Sequence, residues 1–351
     1  MKVGLIGYNS AGKSALYRAA TRGQAKGDVT AVIVPDERFD AIVAQVKPKK
    51  ATPATVILHD DIEDVQSSGR AFSQSLIDDA KKMDLLLHVV RAFDSPMAPY
   101  HASVDPLRDQ DTIDVELVLS DLQIVENRLE RLQKSLTVKN PGSADYMDKM
   151  VFERLHAPLS EGTSIRALDL TEDEQTIVRN YQFLSAKPMV VAFNVSEGEA
   201  ANPPEALLKK AAELATRGTP AFCVSAPLEE EVAQLDAADQ PEFLSSLGLT
   251  EPASAKVVRA VYDALGLITF FTAGDNDTRA WPLRKGSSAL KAAGTIHTDI
   301  AKGFIRAEIV HYKDYAAAGS LDAAYSGGKM SLEGKDYVIQ DGDLLHIRNK
   351  S

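Results

Sequence analysis

Eight consecutive residues, Gly7-Tyr8-Asn9-Ser10-Ala11-Gly12-Lys13-Ser14, have the types and spacing that grip a phosphate chain, G-x-x-x-x-G-K-[ST]. Glycines let the backbone come close to an anion, and the start of a helix adds partial positive charge and unpaired amides at the same spot. Lys13 would reach the β- and γ-phosphates, and the Ser14 hydroxyl would ligate Mg²⁺. Asn9, Ser10, Ala11, Gly12, Lys13, Ser14 and Ala15 are therefore the residues expected around the phosphates. A glycine-rich turn that binds nothing can share this composition. The flanks decide against it: residues 1–6 read as a short apolar strand and residues 15–20 as the first turns of a helix.

A phosphate loop of this kind needs an acidic residue at the end of a neighbouring strand to hold the Mg²⁺ shell. Asp60 or Asp61 fits, directly after the apolar stretch Thr55-Val56-Ile57-Leu58-His59. GTPases usually carry D-x-x-G here, with the glycine amide on the γ-phosphate. This chain instead reads Asp60-Asp61-Ile62-Glu63-Asp64-Val65-Gln66-Ser67-Ser68-Gly69. Further on, Asn194-Val195-Ser196-Glu197 takes the place of N-K-x-D, whose aspartate accepts two hydrogen bonds from guanine. Glutamate lengthens that arm by a methylene and Val195 removes the lysine stem over the base. Preference for guanine should weaken and adenine become acceptable.

The elements that must position these groups follow from patterning. The stretches Asp84-Leu85-Leu86-Leu87-His88-Val89-Val90, 187–193 and 220–224 are apolar enough to be buried on both faces, as in parallel sheets covered by helices. Residues 71–82 read as a helix. From Thr112, Val115, Leu119, Leu122, Val125, Leu129 and Leu132 recur at helical spacing, predicting a long amphipathic helix. A break at Asn140-Pro141-Gly142-Ser143 and further helical segments to about residue 184 suggest a helical hairpin, of coiled-coil type. From Ile268 the pattern is β-rich with turn signals. The expected organisation is α/β: a P-loop nucleotide domain over 1–117 and 186–267, interrupted by a helical insertion over 118–185, then a separate domain over 268–351.

Bulk composition narrows the function classes. At 351 residues the chain is too long for one core. With 44% apolar and 25% charged residues it is an ordinary globular sequence. No apolar run is long enough to span a bilayer, no signal peptide is evident, and Cys223 is the sole cysteine, which points to the cytoplasm, with no membrane. The net charge of −11 argues against broad coating of nucleic acid, and DNA is not an expected partner. Charge is uneven: residues 268–351 hold 11 Lys+Arg against 10 Asp+Glu, so RNA or ribosome contact is better placed there. The histidines lack metal-ligand spacing, the serines lack triad partners, and Glu229-Glu230-Glu231 reads as a solvated helix start.

Over essentially its whole length the chain resembles the Obg-like ATPases, the YchF family of P-loop proteins. The resemblance rests on Val34-Pro35-Asp36-Glu37-Arg38-Phe39-Asp40, His88-Val89-Val90-Arg91-Ala92-Phe93, Val104-Asp105-Pro106-Leu107-Arg108-Asp109 and Asn194-Val195-Ser196-Glu197. It continues through Phe270-Phe271-Thr272-Ala273-Gly274, Arg279-Ala280-Trp281, 292–299, 302–308 and Asp341-Gly342-Asp343. It implies a Ras-like nucleotide domain with a coiled-coil insertion and a C-terminal β-grasp TGS domain. It also implies ATP preference over GTP, Mg²⁺ held by Ser14 and Asp60, slow hydrolysis, and association with the ribosome or its RNA and proteins. Asn194, Val195 and Glu197 would form the base-facing segment, with Ser225 and Ala226 at the second base-binding loop.

The departures cluster around the γ-phosphate. Ser10 stands where the family's P-N-V-G-K-S loop has asparagine. The stretch between Ser14 and Pro35 is about ten residues shorter than in typical members, removing the switch threonine; Thr30 is nearby but does not inherit its role by position. No general base can be named. The leading expectation is a slow nucleoside-triphosphate hydrolase acting as a switch on the translation apparatus. The alternatives are a nucleotide-binding scaffold with little or no hydrolysis and, more remotely, an RNA-binding module with a vestigial P-loop.

Overall fold

The computed structural model describes residues 1–23, 25–66, 71–135, 137–236 and 238–350. Its strands are β1 (Lys2–Ile6), β2 (Val29–Ile33), β3 (Ala51–Thr52), β4 (Thr55–His59), β5 (Leu85–Ala92), β6 (Met189–Val195), β7 (Ala221–Val224), β8 (Leu267–Thr272), β9 (Thr278–Arg284), β10 (Phe304–His311), β11 (Ser331–Glu333) and β12 (Asp343–Asn349). The chain forms two compact units, one of Met1–Thr30 with Ile57–Val257, the other of Ala31–Val56 with Val258–Ser351.

One sheet has the order β2-β4-β1-β5-β6-β7. β1 pairs in parallel with β4 and β5, β5 with β6, and β6 with β7. Every residue of β6, and all but the last of β5, is buried, which is why these strands read as unbroken apolar runs. The phosphate-binding sequence leaves the carboxyl end of β1, the edge where open parallel sheets bind ligands.

The long helix runs over Pro106–Gln133, opened by Asp105, whose carboxylate accepts from the Arg108 amide, and by proline at its start. Residue 118 lies inside it. Its buried stripe matches the expected one at Val125 and Leu132, with Leu122 and Leu129 packed against the same core as Val125, but Val115 and Leu119 are half exposed, whereas Ile113, Leu117, Val118 and Asp121 are buried. The physical reason is that the helix serves two cores. Ile113 and Leu117 face the sheet's core, and Val118 and Val125 face that of the helical segment with Phe152, Leu155 and Phe183. Between them Asp121 accepts from the amides of Leu184 and Ser185 at 2.9 and 2.6 Å. An acidic residue thus sits where a search for apolar periodicity expects a leucine.

The second unit holds a sheet of order β11-β10-β12-β8-β9-β3. β8 and β9 form an antiparallel hairpin, β12 returns parallel to β8, and β10 runs antiparallel to β12. The helix Ala289–Ile296 lays Ala289, Ala292 and Ala293 on Phe270, Trp281, Ala307 and Ile309. A hairpin, a helix and a strand parallel to the first make the β-grasp arrangement expected for this region. Residues 31–56 add the edge strand β3, paired in parallel with β9, and the helix Glu37–Val46. In that helix Phe39 stacks near Phe271, and Arg38 forms ion pairs with Asp36 and Asp341.

Candidate functional site

The loop between β1 and the helix Lys13–Ala20 is shaped by positive φ values. Gly7 lies at +151° and Gly12 at +97°, and a Cβ on either would fall 2.4 Å from the Val89 carbonyl or 2.1 Å from Asn194 Nδ2. Ser10, at φ +59°, adopts the left-handed conformation without being glycine. The helix begins with no side-chain cap and no acidic residue in its first turn, so its leading amides are left for an anion.

Lys13, nearly buried, donates from Nζ to the carbonyls of Gly7 and Tyr8 at 3.2 and 2.9 Å. The same ammonium lies 2.5 Å from Asp64 Oδ1. Ser14 and Asp60 come together, with the Ser14 hydroxyl near enough to the Asp60 carboxyl to favour its charged form. Burial raises that carboxyl above its ordinary value, against the pull of Ser14 and the charge of Lys13. Two hard oxygen donors side by side are what Mg²⁺ takes alongside substrate phosphates. Among the described residues no group of three or more His, Cys, Asp or Glu could hold a metal unaided. Asp61 turns away to His59 Nδ1, at 3.1 Å. The Tyr17 hydroxyl donates to the Gly27 carbonyl at 2.7 Å and lies 2.9 Å from the Thr30 hydroxyl.

The second half of the site is built around Asn194, at the end of β6. Its Nδ2 donates to the Ala11 carbonyl at 3.0 Å, and its Oδ1 accepts from the Ala226 amide at 2.9 Å. One buried amide thereby fixes the phosphate loop to the loop after β7. Ser225 Oγ is buried there and, among the described residues, has no hydrogen-bond partner, an unmet polar group of the kind a ligand satisfies. Glu197 stands exposed on the short helix Glu197–Glu199. Val195 is packed in the sheet's core. Asn9 and Ser14 are exposed, Ala15 half-buried and Ala11 buried.

Three further residues converge on the loop. Arg91, fully buried, donates to the carbonyls of Ser10, Ala98 and Phe93, with its guanidinium 4.4 Å from the Phe93 ring centre and 4.8 Å from that of Tyr100. His101 stacks on Tyr8 with ring centres 4.1 Å apart, and burial lowers its pKa. Asp64 is the third. An arginine inside an apolar strand is a legible signal for Arg91, and Glu63 or Asp64 is legible as a carboxylate standing where GTPases have the D-x-x-G glycine, whereas nothing local marks His101. His88, on β5, is wholly buried and pushed down to about 3 by desolvation and the Lys13 charge. The expectation of a solvated acidic run fails at Glu229: its carboxylate is buried because it accepts from the amides of Ala253 and Ser254, at the start of the helix Ala253–Ala264. Ser67, Ser68 and Gly69, which end the altered switch sequence, lie outside the described residues.

Comparison with known proteins fits this geometry. The ribosome-binding ATPases YchF of Bacillus subtilis and Haemophilus influenzae are 35% and 36% identical to this chain over 99% of it, and 99% and 98% of their own lengths are covered. The chain belongs to the YchF family of Obg-like ATPases. Obg-like ATPase 1 of Oryza sativa is 30% identical over 99% of the chain and 92% of its own length. The solved structure of the Schizosaccharomyces pombe YchF GTPase superposes with a TM-score of 0.88 at 29% identity, covering 99% of this chain and 97% of that one. The family model YchF-GTPase_C, described as a protein of unknown function (DUF933), matches residues 267–350. This YchF-family chain has, among its described residues, no helix long and apolar enough to cross a membrane.

Proposed function

We propose that this chain binds ATP, and GTP less selectively than a GTPase would, at the loop of residues 7–14, hydrolyses it slowly, and acts as a nucleotide-dependent switch on the ribosome in the cytoplasm. The observation that carries the reading is the junction at Asn194, which brings the phosphate loop and the loop of Ser225 and Ala226 to one place. Ribosome association is supported by the relatives named ribosome-binding ATPases. The helical residues within 118–185 are then an insertion in a nucleotide domain, and the region from 268 onward a TGS domain.

Lys13 and the first amides of its helix hold the phosphates, Ser14 and Asp60 hold Mg²⁺, and Glu197 and Ser225 face the base. Mg²⁺ supplies neutralising charge on the phosphate oxygens when bound. Arg91 keeps the loop in its strained shape through the Ser10 carbonyl, so the amides do not reorganise when charge develops. His101, stacked on Tyr8 and with its pKa lowered by burial, is the base beside the loop that can take a proton from water.

A second reading, nucleotide binding with little hydrolysis, is favoured by one contact, the carboxylate of Asp64 on Lys13. Calorimetry with ATP, GTP and ADP, each with and without Mg²⁺, tests the binding claim. Mg²⁺-dependent binding of ATP is expected, and no binding of any of the three would overturn it. Ribosome association is checked by co-sedimentation, where failure to pellet with ribosomes in any nucleotide state would count against it.

A further inference from the structure

Lys13 is the cation a triphosphate needs, and an internal carboxylate holds it. The contact is built, not incidental. Residues 62–66 are anchored on both sides of Asp64 by Ile62 and Val65, both buried in the sheet's core. The Val65 amide donates to the Gly7 carbonyl at 3.1 Å, and Tyr8 and Val65 form a parallel bridge. The neighbouring Glu63 carboxylate accepts from Ser73 Oγ at 2.5 Å. The strand-like segment is thus laced to the phosphate loop itself, and Asp64 reaches the Lys13 ammonium from it. The aspartate side chain is 40% exposed, so its release into water requires no new cavity.

We infer that Asp64 is a specificity-determining residue of the nucleotide site, an internal anion that competes with the terminal phosphate for Lys13 and tilts the site from triphosphate toward diphosphate. This rests on the nucleotide reading above. The lysine grips both β- and γ-phosphates, but its other two Nζ contacts are carbonyls of the loop, which do not compete by charge. A diphosphate adds one charged group beside the ammonium. A triphosphate adds a second where the carboxylate already stands, and like charges at such range repel. Binding of the triphosphate must therefore push Asp64 off Lys13 or leave two anions face to face, whereas the diphosphate is less exposed to that choice. The differential, not the absolute affinity, is the signature.

The experiment measures dissociation constants of ADP and of the non-hydrolysable triphosphate adenylyl imidodiphosphate, with Mg²⁺, for the wild type, Asp64→Asn and Asp64→Ala. Both variants are expected to bind the triphosphate at least tenfold tighter while ADP affinity changes less than threefold. A second signature is salt: the gap between wild type and Asp64→Asn should shrink as ionic strength rises. An unchanged triphosphate-to-diphosphate ratio in both variants overturns the inference. So does a weaker triphosphate in the variants, which would make Asp64 a ligand of the Mg²⁺–phosphate group instead of its competitor. Absence of ADP and triphosphate binding in wild type and variants alike would overturn the nucleotide reading itself, and with it this inference, whereas ADP binding with no change in ratio rejects the inference alone.

Discussion

Asn194 Nδ2 and the Ala11 carbonyl are 183 positions apart in the chain and 3.0 Å apart in space. With the Ala226 amide on its other atom, this side chain has no slack. Asn194→Ala leaves the Ala11 carbonyl and the Ala226 amide unmatched in a buried place, which costs roughly 1–3 kcal/mol per orphaned group. Nucleotide affinity should fall at least tenfold by calorimetry, with a lower melting temperature. Gly12→Ala should be as damaging, since its Cβ would sit 2.1 Å from Asn194 Nδ2. Near-wild-type binding in both variants would show that the junction is dispensable.

Lys13→Ala removes the buried cation and leaves Asp64 facing the phosphates. The lost charge-assisted contact is worth about 1.5–3 kcal/mol, or roughly a 10- to 150-fold loss in ATP affinity. Isothermal titration measures it directly, and an unchanged constant refutes the role.

Base choice can be read by competition. With Glu197 exposed on its short helix and no lysine stem over the base, GTP should not outbind ATP by more than tenfold, a gap of about 1.4 kcal/mol. Glu197→Asp should move the ratio toward GTP. A wild type that prefers GTP beyond that margin contradicts the proposal.

Single-turnover hydrolysis should be slower than in the Bacillus subtilis relative at saturating ATP, because a carboxylate holds the lysine. Burial keeps His101 below its ordinary value, so the rate should be flat from pH 7 to 8 and fall only under more acidic conditions. His101→Ala should lower the rate at least tenfold with little change in ATP affinity. A rate that is untouched by this substitution removes the histidine from the chemistry.

Stability carries its own pH signature. Burial pushes the Asp121 carboxyl up to about 6, against the amide hydrogen bonds from Leu184 and Ser185. The folded state therefore holds this proton more tightly than the unfolded chain does. Its contribution is fully present below the unfolded value near 4 and is lost as pH rises toward about 6, beyond which it is flat. Melting temperatures of wild type and Asp121→Asn across pH 4–7 should differ most in slope inside that window. Parallel curves would rule the linkage out.

How much of this was legible in the sequence follows from the range of each signal. The loop of residues 7–14, the strand ending at Asp60 and the Asn194 position are local patterns, and the fold class they imply is the one observed. In the helix Pro106–Gln133 the stripe is legible at Leu122, Val125, Leu129 and Leu132 but not at Val115 and Leu119, because Asp121 interrupts it and two cores share it. Arg91 interrupts an apolar strand and Asp64 stands in the altered D-x-x-G stretch, so both leave a local mark, whereas His101 acts through ring contacts made from an unpatterned loop, which no periodicity encodes. β3 has two residues, too few to alternate, and its partner β9 lies more than two hundred positions downstream.

That last pairing has a consequence in time. Residues 31–56 leave the ribosome early, yet the unit they complete is finished only by residues from 258 onward. At 5–20 residues per second, roughly 10–40 s separate the two halves during synthesis. Throughout that interval Phe39 and Ile42, both buried in the finished fold, lack the β8–β9 hairpin and its neighbours. The first unit must form around a looped-out guest segment whose own host has not yet been made. Slowing elongation downstream of residue 56 should therefore lengthen the window in which that segment is open to chaperones and proteases.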